Sequence, residues 1–338
     1  MKKNMDRRDF FKTAGAAGLA ASSLGMLAGC GNAQDGQISD AGGMTYRTNN
    51  GNGDKVSILG YGCMRWPMTK DENGKDIIDQ EMTNRLVDYA IEHGVNYFDT
   101  APMYIQALSE IATGIALKRH PRESYFIATK LSNHGNPTWE KSIEMYNRSF
   151  ERLQTDYIDY YLLHNVGTGE KFKERFLDNG IMDFLVKERE AGRIRNLGFS
   201  FHGQQEGFDE IMAYHDQYHF DFVQIQLNYL DWKHADGWNC NAEYLQQELD
   251  KRGIQSVIME PLLGGRLAKV PQHIADRLKE RNPQESVASW AFRFAGTHPG
   301  VLCVLSGMTY MEHLQDNVGT YSPLKSLTED ELAFLEET

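Results

Sequence analysis

The chain has 338 residues, 41% of them hydrophobic and 24% charged, with a formal net charge of −12. That is enough apolar material for one barrel-sized domain or two smaller ones. With no basic block to offset the acidic excess, a nucleic-acid partner is excluded and small-molecule work is expected.

The first thirty residues differ in character from the rest. Lys2, Lys3, Arg7 and Arg8 precede a weakly hydrophobic, Ala/Gly-rich run from Ala14 to Ala28, too short and too rich in small residues for a stable membrane span. Asp6-Arg7-Arg8-Asp9-Phe10-Phe11-Lys12 resembles a twin-arginine export motif. Leu27-Ala28-Gly29-Cys30 resembles a bacterial lipobox, whose cysteine is lipidated after cleavage. The expectation is a signal peptide over 1–29 read by the twin-arginine export machinery, and a lipid on Cys30 as the one membrane contact. A polar tether over 30–43 then leads to a single domain over 44–338, a monomer in the cell envelope or periplasm. Cys63, Cys240 and Cys303 are isolated and no C-x-x-C spacing occurs, so neither zinc nor an iron–sulfur cluster is expected.

From Met44 to Ser57, two strand-like runs flank Asn49-Asn50-Gly51-Asn52-Gly53, which predicts a hairpin. A strand follows at Ile58–Met64, ending in glycines, then a loop through Trp66-Pro67. After that, one module repeats. Met82, Leu86, Tyr89 and Ala90 keep helical spacing up to Gly94, and the strand Val95–Asp99 follows. The same helix–glycine–strand order recurs at 181–192 into 193–200 and at 244–253 into 254–260. Further strands are predicted at 125–130, 157–164, 221–227 and 301–306, and further helices at 109–118, 138–153, 205–215, 285–294 and 310–318. Eight strands alternating with eight helices over about 265 residues predict a closed (β/α)8 TIM barrel with an N-terminal β-hairpin. A doubly wound sheet is disfavoured because no Gly-x-Gly-x-x-Gly follows the first strand.

In such a barrel, the C-terminal strand ends converge on one face. The second strand ends at Asp99, the third at Thr129-Lys130 and the fourth at His164, and Tyr104 lies in the loop after the second. Read singly, these are a helix N-cap, a snorkelling lysine, a core histidine and a packed aromatic. Four polar groups at successive strand ends point instead to a shared site.

Gly94–Tyr104, Ala128-Thr-Lys130, Leu153–His164 and Arg193–Ser200 resemble the aldo-keto reductase family, and the likeness covers essentially all of 44–338. The resemblance places the family's catalytic tetrad on Asp99, Tyr104, Lys130 and His164. It implies hydride transfer between NADP or NAD and a small-molecule carbonyl or alcohol, with Tyr104 as general acid/base. Lys130, held by Asp99, would supply a cation beside the phenol, and His164 would orient the substrate oxygen. It further implies cofactor contacts at Gly62, Cys63 and Met64 near the nicotinamide and at Ser200 and Gln224 on its carboxamide. Phosphates would lie at Leu262, Gly264, Ser306, Gly307 and Met308, and adenine at Asp316 and Asn317.

Two positions depart from the family. Gly307 and His313 stand where a basic pair would grip the 2′-phosphate of NADPH, leaving the choice between NADP and NAD open. Glu260 stands where a tyrosine often stacks on the nicotinamide. Met259–Gly265 resembles a bacterial branch whose members often carry C-terminal cysteine clusters, and this chain has none. Trp66, Asn133, His134, Trp139, His202, Tyr229 and Trp232 are expected to line the mouth, which would suit a sugar-like carbonyl. The rival reading is a non-catalytic nicotinamide- or sugar-binding barrel lipoprotein, a sensor or accessory subunit.

Overall fold

The computed structural model describes residues 43–338; the expected twin-arginine motif, the expected lipobox with Cys30 and the expected tether up to residue 42 lie outside the described residues. The hairpin comes first: β1 (Tyr46–Thr48) pairs antiparallel with β2 (Lys55–Ser57) across the Asn/Gly turn. Eight strands then close a parallel barrel. In chain order they are β3 (Leu59–Gly62), β6 (Tyr97–Asp99), β7 (Phe126–Leu131), β8 (Ile158–Val166), β9 (Ile194–Phe201), β10 (Phe222–Gln226), β11 (Gln255–Met259) and β12 (Val301–Ser306). Each pairs with the next, and β12 pairs with β3 to seal the ring.

The barrel holds two layers of core. Tyr97, Ala128, Tyr160, Leu162, Phe222, Val257, Leu302, Cys303 and Leu305 fill its inside, while Tyr161, Leu163, Leu197, Ile225 and Ile258 pack outward against the helices. Strand alternation sorts the two sets, save at Leu302 and Cys303, which both face inward where the register between β11 and β12 shifts. Gly60 is small because the interior is full: a Cβ there would stand 2.6 Å from Cys303 Sγ. Val56 of the hairpin joins the interior cluster, and Asn49 Nδ2 donates to Tyr160 Oη at 2.9 Å, so the hairpin plugs the N-terminal end.

The helices occupy the expected stretches, among them Gln80–Glu92, Ser109–Leu117, Trp139–Leu153, Ile181–Glu190, Ala242–Lys251, Val287–Thr297 and Met311–Tyr321. Asp79 caps the first, accepting the Met82 N–H at 2.9 Å. Gly94, at φ 88, turns the chain into β6. The helix predicted over 205–215 stops at Met212 and resumes as the short turn His215–Tyr218.

Several elements carry no sequence forecast, the short helical turns Gly169–Phe172, Lys173–Leu177 and Asp231–His234 among them. A small hairpin, β4 (Met68–Lys70) with β5 (Asp76–Ile78), fills the loop after Trp66-Pro67. The helix Gln272–Arg281 buries only Leu278 of its ten residues, and Glu329–Glu337 buries none of its side chains fully, so neither shows an apolar stripe. The second instead starts on a capping box between Thr328 and Glu331. Among the described residues no helix is long and apolar enough to cross a membrane.

Candidate active site

Three of the four expected catalytic residues, and the expected carboxamide contact Gln224, lie two positions beyond a residue of the barrel interior: Asp99 after Tyr97, Lys130 after Ala128, His164 after Leu162, Gln224 after Phe222. The period of two puts the polar groups on the same inward face, one layer closer to the C-terminal rim. Lys130, fully buried, donates from Nζ to Asp99 Oδ1 at 2.5 Å and to the Thr100 carbonyl at 2.9 Å. Gln224 Nε2 donates to the other oxygen, Asp99 Oδ2, at 3.1 Å. Burial pushes the Asp99 carboxyl up, and Lys130 and Gln224 pull it back down.

Above this pair lies Tyr104, with Lys130 Nζ 5.3 Å from its ring centroid. The ring meets His164 edge-on, centroids 5.7 Å apart. Burial and then the Asp99 charge raise the phenol well above its ordinary range, so it stands here as a proton donor. The turn carrying it is unusual: Ile105, Gln106 and Ala107 all adopt φ near the left-handed region, at 49, 53 and 68.

His164 is held neutral by burial and then by the cations Lys130 and Arg175 and the imidazoles of His134 and His202 around it. Two partners absent from the sequence reading fix its ring. Ser132 Oγ lies 2.5 Å from Nδ1, and Arg175 Nη2 donates to the His164 carbonyl at 2.6 Å. In a neutral ring whose Nδ1 accepts from Ser132, Nε2 carries the proton and donates outward. Ser132 had a findable signal, two residues beyond Lys130. Arg175 had none, because a π-helical turn over Lys173–Leu177 carries it back to the strand end.

Beside the tetrad, a cleft of about 630 Å³ runs between the loops after β11 and β12. Leu262, Gly264, Ser306, Gly307, Asp316 and Asn317, the residues that the resemblance assigns to phosphates and adenine, line it. Asn317 Nδ2 donates to Ser306 Oγ at 3.0 Å, and Asp316 accepts from Ser286 Oγ at 2.7 Å. Gly62 abuts the same edge, since a Cβ there would lie 3.3 Å from the Ser306 carbonyl. Ser200 Oγ accepts the Asn165 N–H at 2.8 Å at the rim of β9.

The side chains of Cys63 and Met308 are buried in the core, which leaves them the backbone contacts expected of both, whereas Met64 is exposed. The cleft also has a cation that the sequence reading missed. Arg65 lies across Gly307, where a Cβ would come within 3.1 Å of Arg65 Cδ. Backbone N–H groups in glycine turns, a guanidinium and an amide suit a nucleotide's phosphates and base.

The expected mouth breaks up. Trp66 is buried, donating from Nε1 to Thr113 Oγ1 at 3.0 Å and packing on Tyr61. Asn133 is buried too, its amide bonded to Ser142, Arg175 and the Arg175 carbonyl. Trp139 packs edge-on against Phe184 between helices. Tyr229 and Trp232 instead border, with Phe294 and His298, a cavity of about 1220 Å³ that meets the cleft only at Gly264 and Gly265. Only His134, 5.2 Å from the His164 ring, and His202, which faces Asn239 Oδ1 at 3.4 Å, stay with the site.

Comparison with known proteins bears on this arrangement. Residues 58–338 match the Aldo/keto reductase family. The chain is 32% identical over 182 residues to probable aldo-keto reductase 1 of Glycine max, spanning 52% of this chain and about half, 49%, of that relative. It is 26% identical over 300 residues to L-galactose dehydrogenase of Arabidopsis thaliana, covering 82% and 88% of the two chains. An aldo-keto reductase of Bacillus halodurans in its holo form superposes with a TM-score of 0.68 at 25% identity, over 87% of this chain and 96% of that one. From the tetrad's strand-end geometry and the match over nearly the whole described barrel, the chain belongs to the aldo/keto reductase family of oxidoreductases.

Proposed function

We propose that this protein is an exported, lipid-anchored reductase or dehydrogenase that interconverts a carbonyl and an alcohol with NADP(H) or NAD(H). The observation that carries the reading is the buried Lys130–Asp99 pair beneath Tyr104 at the rim of the barrel. The nicotinamide nucleotide, when bound, supplies or accepts the hydride. The chain's own residues manage the proton and the oxygen. Tyr104 gives its proton to the oxygen that gains charge, and the Lys130 cation stabilises the phenolate left behind. Asp99 keeps that cation in place. His164 donates from Nε2 to orient the same oxygen. Tyr104→Phe should cut carbonyl reduction by about 10²–10⁴-fold while nucleotide binding by titration stays unchanged; undiminished turnover would remove Tyr104 from this role.

The cleft takes the nucleotide, with Arg65 as the cation that neither Gly307 nor His313 supplies. A sugar or other polyol fits the polar groups left at the mouth, His134, His202 and Asn239, and the relative named L-galactose dehydrogenase supports that class. Thermal-shift screening against sugars, steroids and quinones tests it.

The twin-arginine-like motif at 6–12 and the lipobox ending at Cys30 support export and anchoring. Because that route carries folded proteins, the nucleotide would be loaded before export. Fractionation of expressing cells, with mass spectrometry of the N-terminus and of co-purifying nucleotide, is the check. An unprocessed cytoplasmic chain would sink the export reading.

A further inference from the structure

The cleft contains an anion of its own. Glu260 leaves β11 at φ 55, a left-handed conformation that a non-glycine residue adopts only when its surroundings impose it. Its backbone is pinned: the Glu260 carbonyl accepts the Leu263 N–H at 3.0 Å and Asn228 Nδ2 at 3.1 Å. Its side chain folds back over the turn, where Oε2 accepts the backbone N–H of Gly264. Gly264 is at φ 67 and Gly265 at φ 94. A Cβ on Gly264 would meet only that Glu260 oxygen, at 3.8 Å, and one on Gly265 would meet nothing within 4 Å, so the carboxylate alone stands over an otherwise open turn.

Gly264 lines the same cleft as Ser306, Gly307 and Arg65, where the proposed function seats the phosphates of a nucleotide. A carboxylate and a phosphate oxygen are both acceptor-only anions, and one N–H cannot serve both. We propose that Glu260 sets the affinity of this groove by acting as an internal anion: its carboxylate occupies the Gly264 N–H that a nucleotide diphosphate needs and must swing off it for the diphosphate to bind. The pinned backbone makes this a side-chain rotation and not a loop movement. Apparent affinity falls in proportion to the fraction of molecules in which the N–H is still free. The charge also repels an incoming diphosphate at short range. The Glu260 charge further reaches Tyr104 and His202, whose proton affinities it raises, so the residue links the phosphate turn to the catalytic mouth.

This inference rests on the nucleotide reading, and its test separates the two. The full-length protein and its Glu260→Gln and Glu260→Ala variants are titrated calorimetrically with NADPH, NADH and ADP at fixed ionic strength, with melting curves to verify folding. ADP carries the diphosphate and no nicotinamide. Both variants should bind all three about tenfold more tightly than wild type. Wild-type binding with unchanged or weaker binding by the folded variants overturns the role of Glu260 and leaves the nucleotide site standing. No binding of any of the three by wild type or variants overturns the nucleotide site and the role of Glu260 together.

Discussion

At the scale of single residues, the site depends on one buried charge pair. Lys130 and Asp99 are both withdrawn from water, and each is tolerable because the other is there. Lys130→Met alone leaves a buried carboxylate without its cation and should lower stability by about 3–5 kcal/mol in urea unfolding. Adding Asp99→Asn should return most of that loss without restoring turnover; a double variant as unstable as the single one would contradict the pairing. Ser132 acts one step further out, through the imidazole. Ser132→Ala removes the donor to His164 Nδ1 and frees the other tautomer, which cannot donate from Nε2. The expected result is a fall in kcat of about tenfold with nucleotide affinity unchanged, and substantial recovery in Ser132→Thr. A fall in KM alone, or no recovery with threonine, would assign Ser132 to packing.

At the scale of elements, the turn after β6 decides where Tyr104 stands. Three successive non-glycine residues in the left-handed region are costly, at about 1–2 kcal/mol each. Ile105 recovers part of that through its contacts with the core, whereas Ala107 has little to offer in return. Ala107→Gly should therefore raise stability by about 0.5–1 kcal/mol after allowing for the glycine's extra freedom in the unfolded chain. The same change should lower kcat by letting Tyr104 wander, measured against the melting temperature of the same sample. A destabilised Ala107→Gly variant would mean that the turn carries no such strain.

At the scale of the whole molecule, the two ends of the barrel do different work. The N-terminal end is closed by the hairpin, and Arg47 donates to the carbonyls of Gly296, His298 and Val301, tying it to the helix Val287–Thr297 and the last strand. His298 stacks on Trp232 at 4.3 Å, and burial, followed by the Arg47 charge, lowers its pKa to about 4. An unfolded histidine titrates near pH 6.5, so the unfolded chain takes up this proton first as pH falls. Stability from this group is fully present above about pH 6.5, declines on acidification and is exhausted near pH 4. The loss is on the order of 3 kcal/mol. His298→Gln should flatten the melting temperature over that interval; a wild-type acid limb in the variant would place the titration elsewhere.

Much of this molecule follows from local patterning. Alternating strands, glycine stops and helical spacing determine the eight βα units, and polar residues at successive strand ends determine Asp99, Lys130 and His164, because a period of two leaves an end residue no freedom about which face it takes. A weakly buried helix such as Gln272–Arg281 escaped because only one of its ten residues is fully buried. What only the tertiary structure decided lies in the loops. Trp66 and Asn133 turned inward because buried partners, Thr113, Ser142 and Arg175, were waiting for their polar atoms. Ser132 and Arg175 fastened His164, Arg65 entered the cleft from the far side of Gly307, and Glu260 folded onto Gly264. All but the last depend on distances between residues that the sequence separates by up to hundreds of positions, and the last depends on a left-handed turn; a loop has no repeat from which either could be read.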